Sequence, residues 1–230
     1  MEDINMIIIL QARTGSRRFP KKILKKINGV TIIEHILNRL KYVKNIDKLV
    51  VATTNKSDDD IVKKICDKNN VLCFRGSSSN VLDRYIKCAK FYNAKNIIRL
   101  TSDDPFMDPK LIDKLIKIFI RGKYDFISNT PNKTFPLGLD VTIVKYKVLS
   151  NIPHLTNKKK HIEHVVTYLF ENKENYKYLY YDRRIDRFSQ MRLTIDYDSD
   201  LRFAKKIYNN IYKKNKLFLF KDIINFLNNN

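Results

Sequence analysis

The chain has 230 residues, 43% of them hydrophobic and 30% charged, which supplies the core of one α/β domain and excludes a disordered chain. Its longest apolar runs, such as Ile7-Ile8-Ile9-Leu10, fall far short of the roughly 18 residues a membrane helix needs. Lys and Arg outnumber Asp and Glu 45 to 24, a net charge of +21. Of the 45 basic residues 32 are Lys, without interleaved Arg and aromatics or a finger or helix-turn-helix pattern, so solvated faces are expected rather than a nucleic-acid surface. An anionic small molecule fits the same charge. The start Met1-Glu2-Asp3 does not read as a signal peptide, and Cys66, Cys73 and Cys88 have no metal-ligand spacing. The expectation is a soluble cytoplasmic protein with no membrane partner.

Elements alternate along the chain. Met6 to Leu10 reads as a doubly covered strand. Thr31 and Glu34 make a capping box opening a helix to about Val43. A strand over 48–53, a helix from Ser57 to about Asn69, a strand over 71–74, a helix over 81–92 and a strand over 96–101 follow. Asp108-Pro109 caps the next helix, and Tyr124 to Ser128 is a strand. After Thr130 the rhythm changes: strands are expected over 139–145 and 176–182 around a helix near 158–171. Arg192 to Ile195 reads as a short strand before two closing helices. This order predicts a parallel sheet with helices on both faces, one domain over 1–230, and an excursion from the sheet at about 130–185.

Ligands of such sheets sit at the carboxyl ends of strands. The first strand runs into Gln11-Ala12-Arg13-Thr14-Gly15-Ser16-Arg17-Arg18-Phe19-Pro20-Lys21-Lys22, where Gly15 lets the backbone approach a ligand and five cations gather. Its composition suits a triphosphate cradle or a basic surface loop. Thr101-Ser102-Asp103-Asp104-Pro105 brings paired carboxylates to another strand end, as Mg²⁺ or a helix cap would use. Asp196, Asp198 and Asp200 form a third cluster, part of which caps a helix. A basic loop with two acidic strand ends favours nucleotide and metal chemistry.

The stretch QARTGSRRFPKKIL resembles the signature of the cytidylyltransferases that make CMP-activated sugars. VVATTN, FRGSSSNVLDRY, IIRLTSDDPFMDP, YDFISNT, FPLGLDVTI, IEHV and LTIDYDSDL extend the likeness nearly end to end, toward the spore-coat-polysaccharide branch. The resemblance implies a Rossmann-like nucleotidyltransferase domain with a mixed, mostly parallel sheet, a homodimer formed through the excursion, and transfer of CMP from CTP to an acidic sugar with release of pyrophosphate. It implies that Arg13, Gly15, Ser16, Arg18 and Lys22 hold the triphosphate, Arg13, Lys22 and Asp103 acting in catalysis. Ala12 and Thr53 would lie near the base or ribose, Arg75 and Arg84 at the nucleotide, and Asp103 and Asp196 on Mg²⁺. Ser102 stands in place of the usual Gly and Lys21 in place of a small residue. Asp140, in the branch's Gly138-Leu139-Asp140, is a substrate-pocket candidate. His164 is read first as a helix residue packed on the sheet and second as a substrate contact. Arg183, Arg184 and Arg187 suit either a pocket for the sugar carboxylate or a solvated loop, with Arg184 the candidate. Two rival readings stay open: a nucleotidyltransferase for another nucleotide or a phosphorylated acceptor, and a non-catalytic nucleic-acid-binding homologue.

Overall fold

A computed structural model describes residues 5–16, 18–213 and 215–229. The apolar run at the start becomes β1 (Met6–Gln11) in the middle of a seven-stranded sheet. With β4 (Lys48–Thr54), β5 (Leu72–Gly76), β6 (Asn96–Thr101), β7 (Phe126–Ser128), β8 (Thr142–Lys145) and β9 (Tyr178–Tyr180), the order is β5-β4-β1-β6-β8-β7-β9. Every pairing is parallel except those of β8, which runs antiparallel to both β6 and β7. The mixed, mostly parallel sheet is thus as expected.

Side-chain alternation along β1 explains why both faces are covered. Met6, Ile8 and Leu10 enter one core, shared with residues of α1 (Ile32–Leu40), α2 (Asp60–Lys68), α4 (Pro109–Gly122), α8 (Asp198–Ile211) and α9 (Phe220–Asn228). Ile7 and Ile9 enter the other, with α3 (Val81–Phe91), α5 (Tyr146–Leu155) and α7 (Thr167–Glu171). Five aliphatic residues in succession are therefore all fully buried.

The capping box forms as read: Glu34 N–H donates to Thr31 Oγ1 at 3.3 Å, and Thr31 N–H donates to Glu34 Oε2 at 3.1 Å. Elsewhere the chain departs from expectation. The predicted strand over 139–145 begins only at Thr142, because the Asn129 side chain takes over the ladder, accepting from Val141 N–H at 2.8 Å and donating to Leu139 O at 2.9 Å. Residues 192–195 form only an isolated bridge, Leu137 to Arg192. The helix expected over 158–171 is two, α6 (Lys159–His164) and α7, broken by a γ-turn at Val165 (φ 60°, ψ −57°) in which Val166 N–H donates to His164 O at 2.6 Å. That turn keeps both valines in the core and leaves His164 exposed, so His164 does not pack on the sheet; the buried histidine of the pair is His161. Residues 130–185, expected to leave the sheet, supply two of its strands. The hairpin of β2 (Lys26–Ile27) and β3 (Val30–Thr31) was not foreseen, nor was α5. No helix of the described residues is long and apolar enough to cross a membrane.

Candidate active site

The carboxyl ends of β1, β4 and β6 lie side by side, so the segments that follow them meet along one rim of the sheet. β8 runs the other way, which brings its leading residues, with Asp140 just before them, to that same rim.

The basic loop after β1 is anchored from below by Asp59, a carboxylate the sequence reading passed over as part of a helix start. Asp59 is 3% exposed. Its Oδ1 accepts from Thr14 N–H at 2.7 Å and from Thr14 Oγ1 at 2.8 Å, and its Oδ2 accepts from the Thr54 hydroxyl. Ala12 is buried, its N–H donating to Ala52 O across to β4. Arg13 and Gly15 are exposed at the rim. Gly15 has neither a left-handed φ nor any atom crowding a built Cβ, so the turn itself does not require glycine. Arg17, counted among the loop's cations, lies outside the described residues.

At the end of the loop Lys22 turns inward, its side chain 12% exposed. Its Nζ lies 2.9 Å from Asp103 Oδ2, after β6, and 3.0 Å from Asp196 Oδ1, before α8. Arg18 reaches the same Asp196 Oδ1 at 2.7 Å, and Arg192 lies 3.4 Å from Asp196 Oδ2 and 3.3 Å from Asp200. Burial alone would lower the Lys22 ammonium, but Asp103 and Asp196 outweigh it and hold it above the usual lysine value. Burial likewise pushes Asp196 up, and the bonds from Lys22 and Arg18 bring it below the usual carboxylate range. Behind this group, burial and then Asp103 and Asp140 push Asp104 well up. Asp140 rises to about 6, mainly through burial, with Arg99 opposing and Asp103 adding to the rise.

The donors suit a hard divalent cation. Two carboxylates from separate segments converge on one positive centre, and all their donor atoms are oxygen. Among the described residues no cluster of three or more His, Cys, Asp or Glu gathers as a metal cage, so further ligands would have to come from substrate phosphates and water.

Near the ends of β1 and β4 and in α3 are buried side chains with unmet hydrogen-bonding capacity. Gln11 Oε1, Thr53 Oγ1 and Arg84 Nε and Nη2 are buried and have no protein partner. Arg84 is fully buried at the start of α3, with Nη1 donating to Ser77 O at 2.6 Å and its stem against Gly76. Such orphaned groups cost free energy unless a ligand or water satisfies them. Arg75 is differently employed: Nε donates to Thr54 O, Nη2 to Lys56 O, and Nη1 pairs with Asp60, which ties down the loop after β4. Ser16 Oγ accepts weakly from Phe19 N–H at 3.4 Å. Neither His164 nor Arg184 forms a hydrogen bond or ion pair with the Lys22 cluster; both are exposed. Of the three arginines, Arg183 binds Asp186 and Thr134 O, and Arg187 binds Asn228, which leaves Arg184 uncommitted among the described residues.

Residues 7–223 match the family described as cytidylyltransferase. The chain belongs to the cytidylyltransferase family. It is 35% identical to an uncharacterized protein of Methanocaldococcus jannaschii, over 99% of this chain and 92% of that one. It is also 35% identical to the spore coat polysaccharide biosynthesis protein SpsF of Bacillus subtilis, over 90% of this chain and 87% of that one. A solved cytidylyltransferase from Leptospira borgpetersenii superposes with a TM-score of 0.93 at 34% identity, covering 98% of this chain and 94% of that one. This cytidylyltransferase is therefore a nucleotidyltransferase enzyme, and its polar rim is the candidate active site.

Proposed function

We propose that this enzyme transfers CMP from CTP to an acidic sugar of the Kdo or nonulosonate type, with Mg²⁺ bound and pyrophosphate released. The product would feed a surface polysaccharide or glycoconjugate. The observation that carries the reading is the convergence of Lys22, Asp103 and Asp196 at the foot of a basic loop. The kinship with a spore coat polysaccharide protein supports the sugar.

The side chains divide the work. Arg13, Arg18 and Lys22 would neutralise the triphosphate and the leaving pyrophosphate, which raises the electrophilicity of the α-phosphorus. Gln11, Thr53 and Arg84 would satisfy the polar edge of the nucleoside while their burial excludes water. Asp103 and Asp196 would hold Mg²⁺, which when bound stabilises charge developing on the phosphates and lowers the pKa of the attacking hydroxyl. Asp140 would face the acceptor, and Arg184 its carboxylate. Asp59 holds the loop in place so that attack geometry is set before binding.

The experiment is pyrophosphate release with each of the four ribonucleoside triphosphates against a panel of acidic and neutral sugars, with and without Mg²⁺. Turnover confined to CTP, an acidic sugar and Mg²⁺ supports the reading. Turnover with UTP, or with a sugar phosphate, overturns it. The homodimer belongs to the same proposal, and sedimentation equilibrium tests it.

A further inference from the structure

Lys22 sits where a cation is wanted. Its ammonium contacts Asp103 and Asp196, residues 81 and 174 positions further along the chain, and so ties the basic loop to two segments that already meet through Ile195 N–H donating to Asp103 O at 2.8 Å. The two acids are not equally dependent on it. Asp196 also has Arg18 and Arg192, whereas Lys22 is the single ionic partner of Asp103 among the described residues. Asp103 in turn stands within electrostatic reach of Asp104 and Asp140. Remove the ammonium and Asp103 is left beside Asp196 with no ionic partner of its own, which attracts any available cation.

We propose that Lys22 is a stand-in for the metal, its ammonium occupying the divalent-cation position until the nucleotide draws it away. This rests on the CTP and Mg²⁺ reading above. A divalent ion bound by both acids at roughly 2.1 Å would share a half-buried space with a second positive charge, so the ion and the ammonium exclude each other. The basic loop offers Lys22 a second partner, the triphosphate. A metal–nucleotide complex brings both exchanges at once, an ion for the acids and an anion for the lysine. Free metal brings only the first, and must strip Lys22 of its partners without giving it others. Metal and CTP should therefore bind with positive coupling beyond what the phosphate ligands supply, and that extra coupling should reside in Lys22. The arrangement also keeps the empty enzyme assembled, because the acids are neutralised between turnovers.

The test is Mn²⁺ binding followed by electron paramagnetic resonance, without any acceptor sugar and so without turnover. In the native enzyme CTP should tighten Mn²⁺ binding by about tenfold or more, the size of a typical coupling. Without CTP, Lys22→Gln should bind Mn²⁺ about tenfold more tightly than the native enzyme, and CTP, which still supplies phosphate ligands, should then tighten it by less than it does in the native enzyme. Lys22→Arg keeps a cation and should bind free Mn²⁺ as weakly as the native enzyme. Lys22→Gln that binds free Mn²⁺ no better than the native enzyme overturns the proposal. If Lys22→Gln does not fold by circular dichroism, the native enzyme decides: tight Mn²⁺ binding without nucleotide also overturns it. CTP that fails to bind in a melting assay instead sinks the cytidylyl reading, while the comparison of variants without nucleotide still judges the stand-in role.

Discussion

The Asp59 carboxylate accepts both the backbone N–H and the hydroxyl of Thr14, at 2.7 and 2.8 Å. A side chain from the start of one helix thereby sets the conformation of a loop 45 residues earlier. Asp59→Asn keeps an oxygen for Thr14 but removes the charge and turns the group facing the Thr54 hydroxyl from acceptor to donor. It should cost about 2–4 kcal/mol, since charged hydrogen bonds in buried sites are worth more than neutral ones, and lower the melting temperature by about 2–4 °C per kcal/mol. Because Asp59 acts through the loop, the KM for CTP should rise more than kcat falls. Unchanged KM would leave Asp59 with a purely structural role.

Asp103→Asn keeps the volume and removes the charge. Turnover should fall by at least about a hundredfold, on the order of 3 kcal/mol of transition-state stabilisation, while the folded spectrum survives. A variant that keeps more than about a tenth of native activity, a loss under roughly 1.4 kcal/mol, counts against a metal-holding role.

Arg184 is exposed and uncommitted, which is what an acceptor-binding cation needs before its substrate arrives. Arg184→Ala should raise the acceptor KM and leave CTP affinity intact, with little change in melting temperature. Equal loss of both affinities would place the residue elsewhere.

Glu34 gives a pH signature remote from the active site. Burial raises its carboxyl, but hydrogen bonds from Thr31 and Lys68 hold it down at about 2 against an ordinary 4.5. Between those values the unfolded chain binds more protons than the folded one, so stability rises with pH across the window. Glu34→Gln should cost about 1–2 kcal/mol at neutral pH, the scale of a helix cap on a partly exposed side chain. That difference should be complete above pH 4.5 and shrink as the pH falls toward 2. A pH-independent difference would mean that packing, not the charge, is responsible.

Gly138 has φ 105°, and a Cβ there would come within 2.5 Å of Leu193 C and Thr194 N. Backbone cannot yield as a side-chain tip can. Gly138→Ala should cost about 2–4 kcal/mol. It should also reduce kcat, because the displaced segment leads two residues later to Asp196. Melting temperature and kcat falling together is the expected result; a stable variant with native turnover would refute the close approach.

What the sequence made legible was local or periodic. Thr31 with Glu34 announced a helix, Asp108-Pro109 another, and the apolar run of β1 a covered strand. Asn28-Gly29 carried a two-residue hairpin signal that went unread; both residues have positive φ, 51° and 82°, as such a turn needs. α5 was hidden by Pro153 within it and by the lack of an acidic first turn. The break at Val165 could not be foreseen, since burial of two valines overrides the reluctance of a β-branched residue to adopt positive φ. At the site, the acids and cations were visible as types at strand ends. Their pairing was not, because Lys22, Asp103 and Asp196 come together through the crossovers of the sheet. Asp59 sits in a run of three aspartates at a helix start with nothing local to single it out, and only the fold turns its carboxylate toward Thr14.

β8 has four residues, yet it alone joins β7 and β9 to the rest of the sheet. The parallel half, β5-β4-β1-β6, is complete in sequence by residue 101, whereas β7 emerges next and has no neighbour until 142–145 is available to pair with it. β8 is thus the rung that converts two pieces into one. Its amides should exchange with solvent only when the whole sheet opens. Loosening them would also loosen the segment that begins at Asp140, so the strand that holds the sheet together is joined directly to the rim where the sugar would be met.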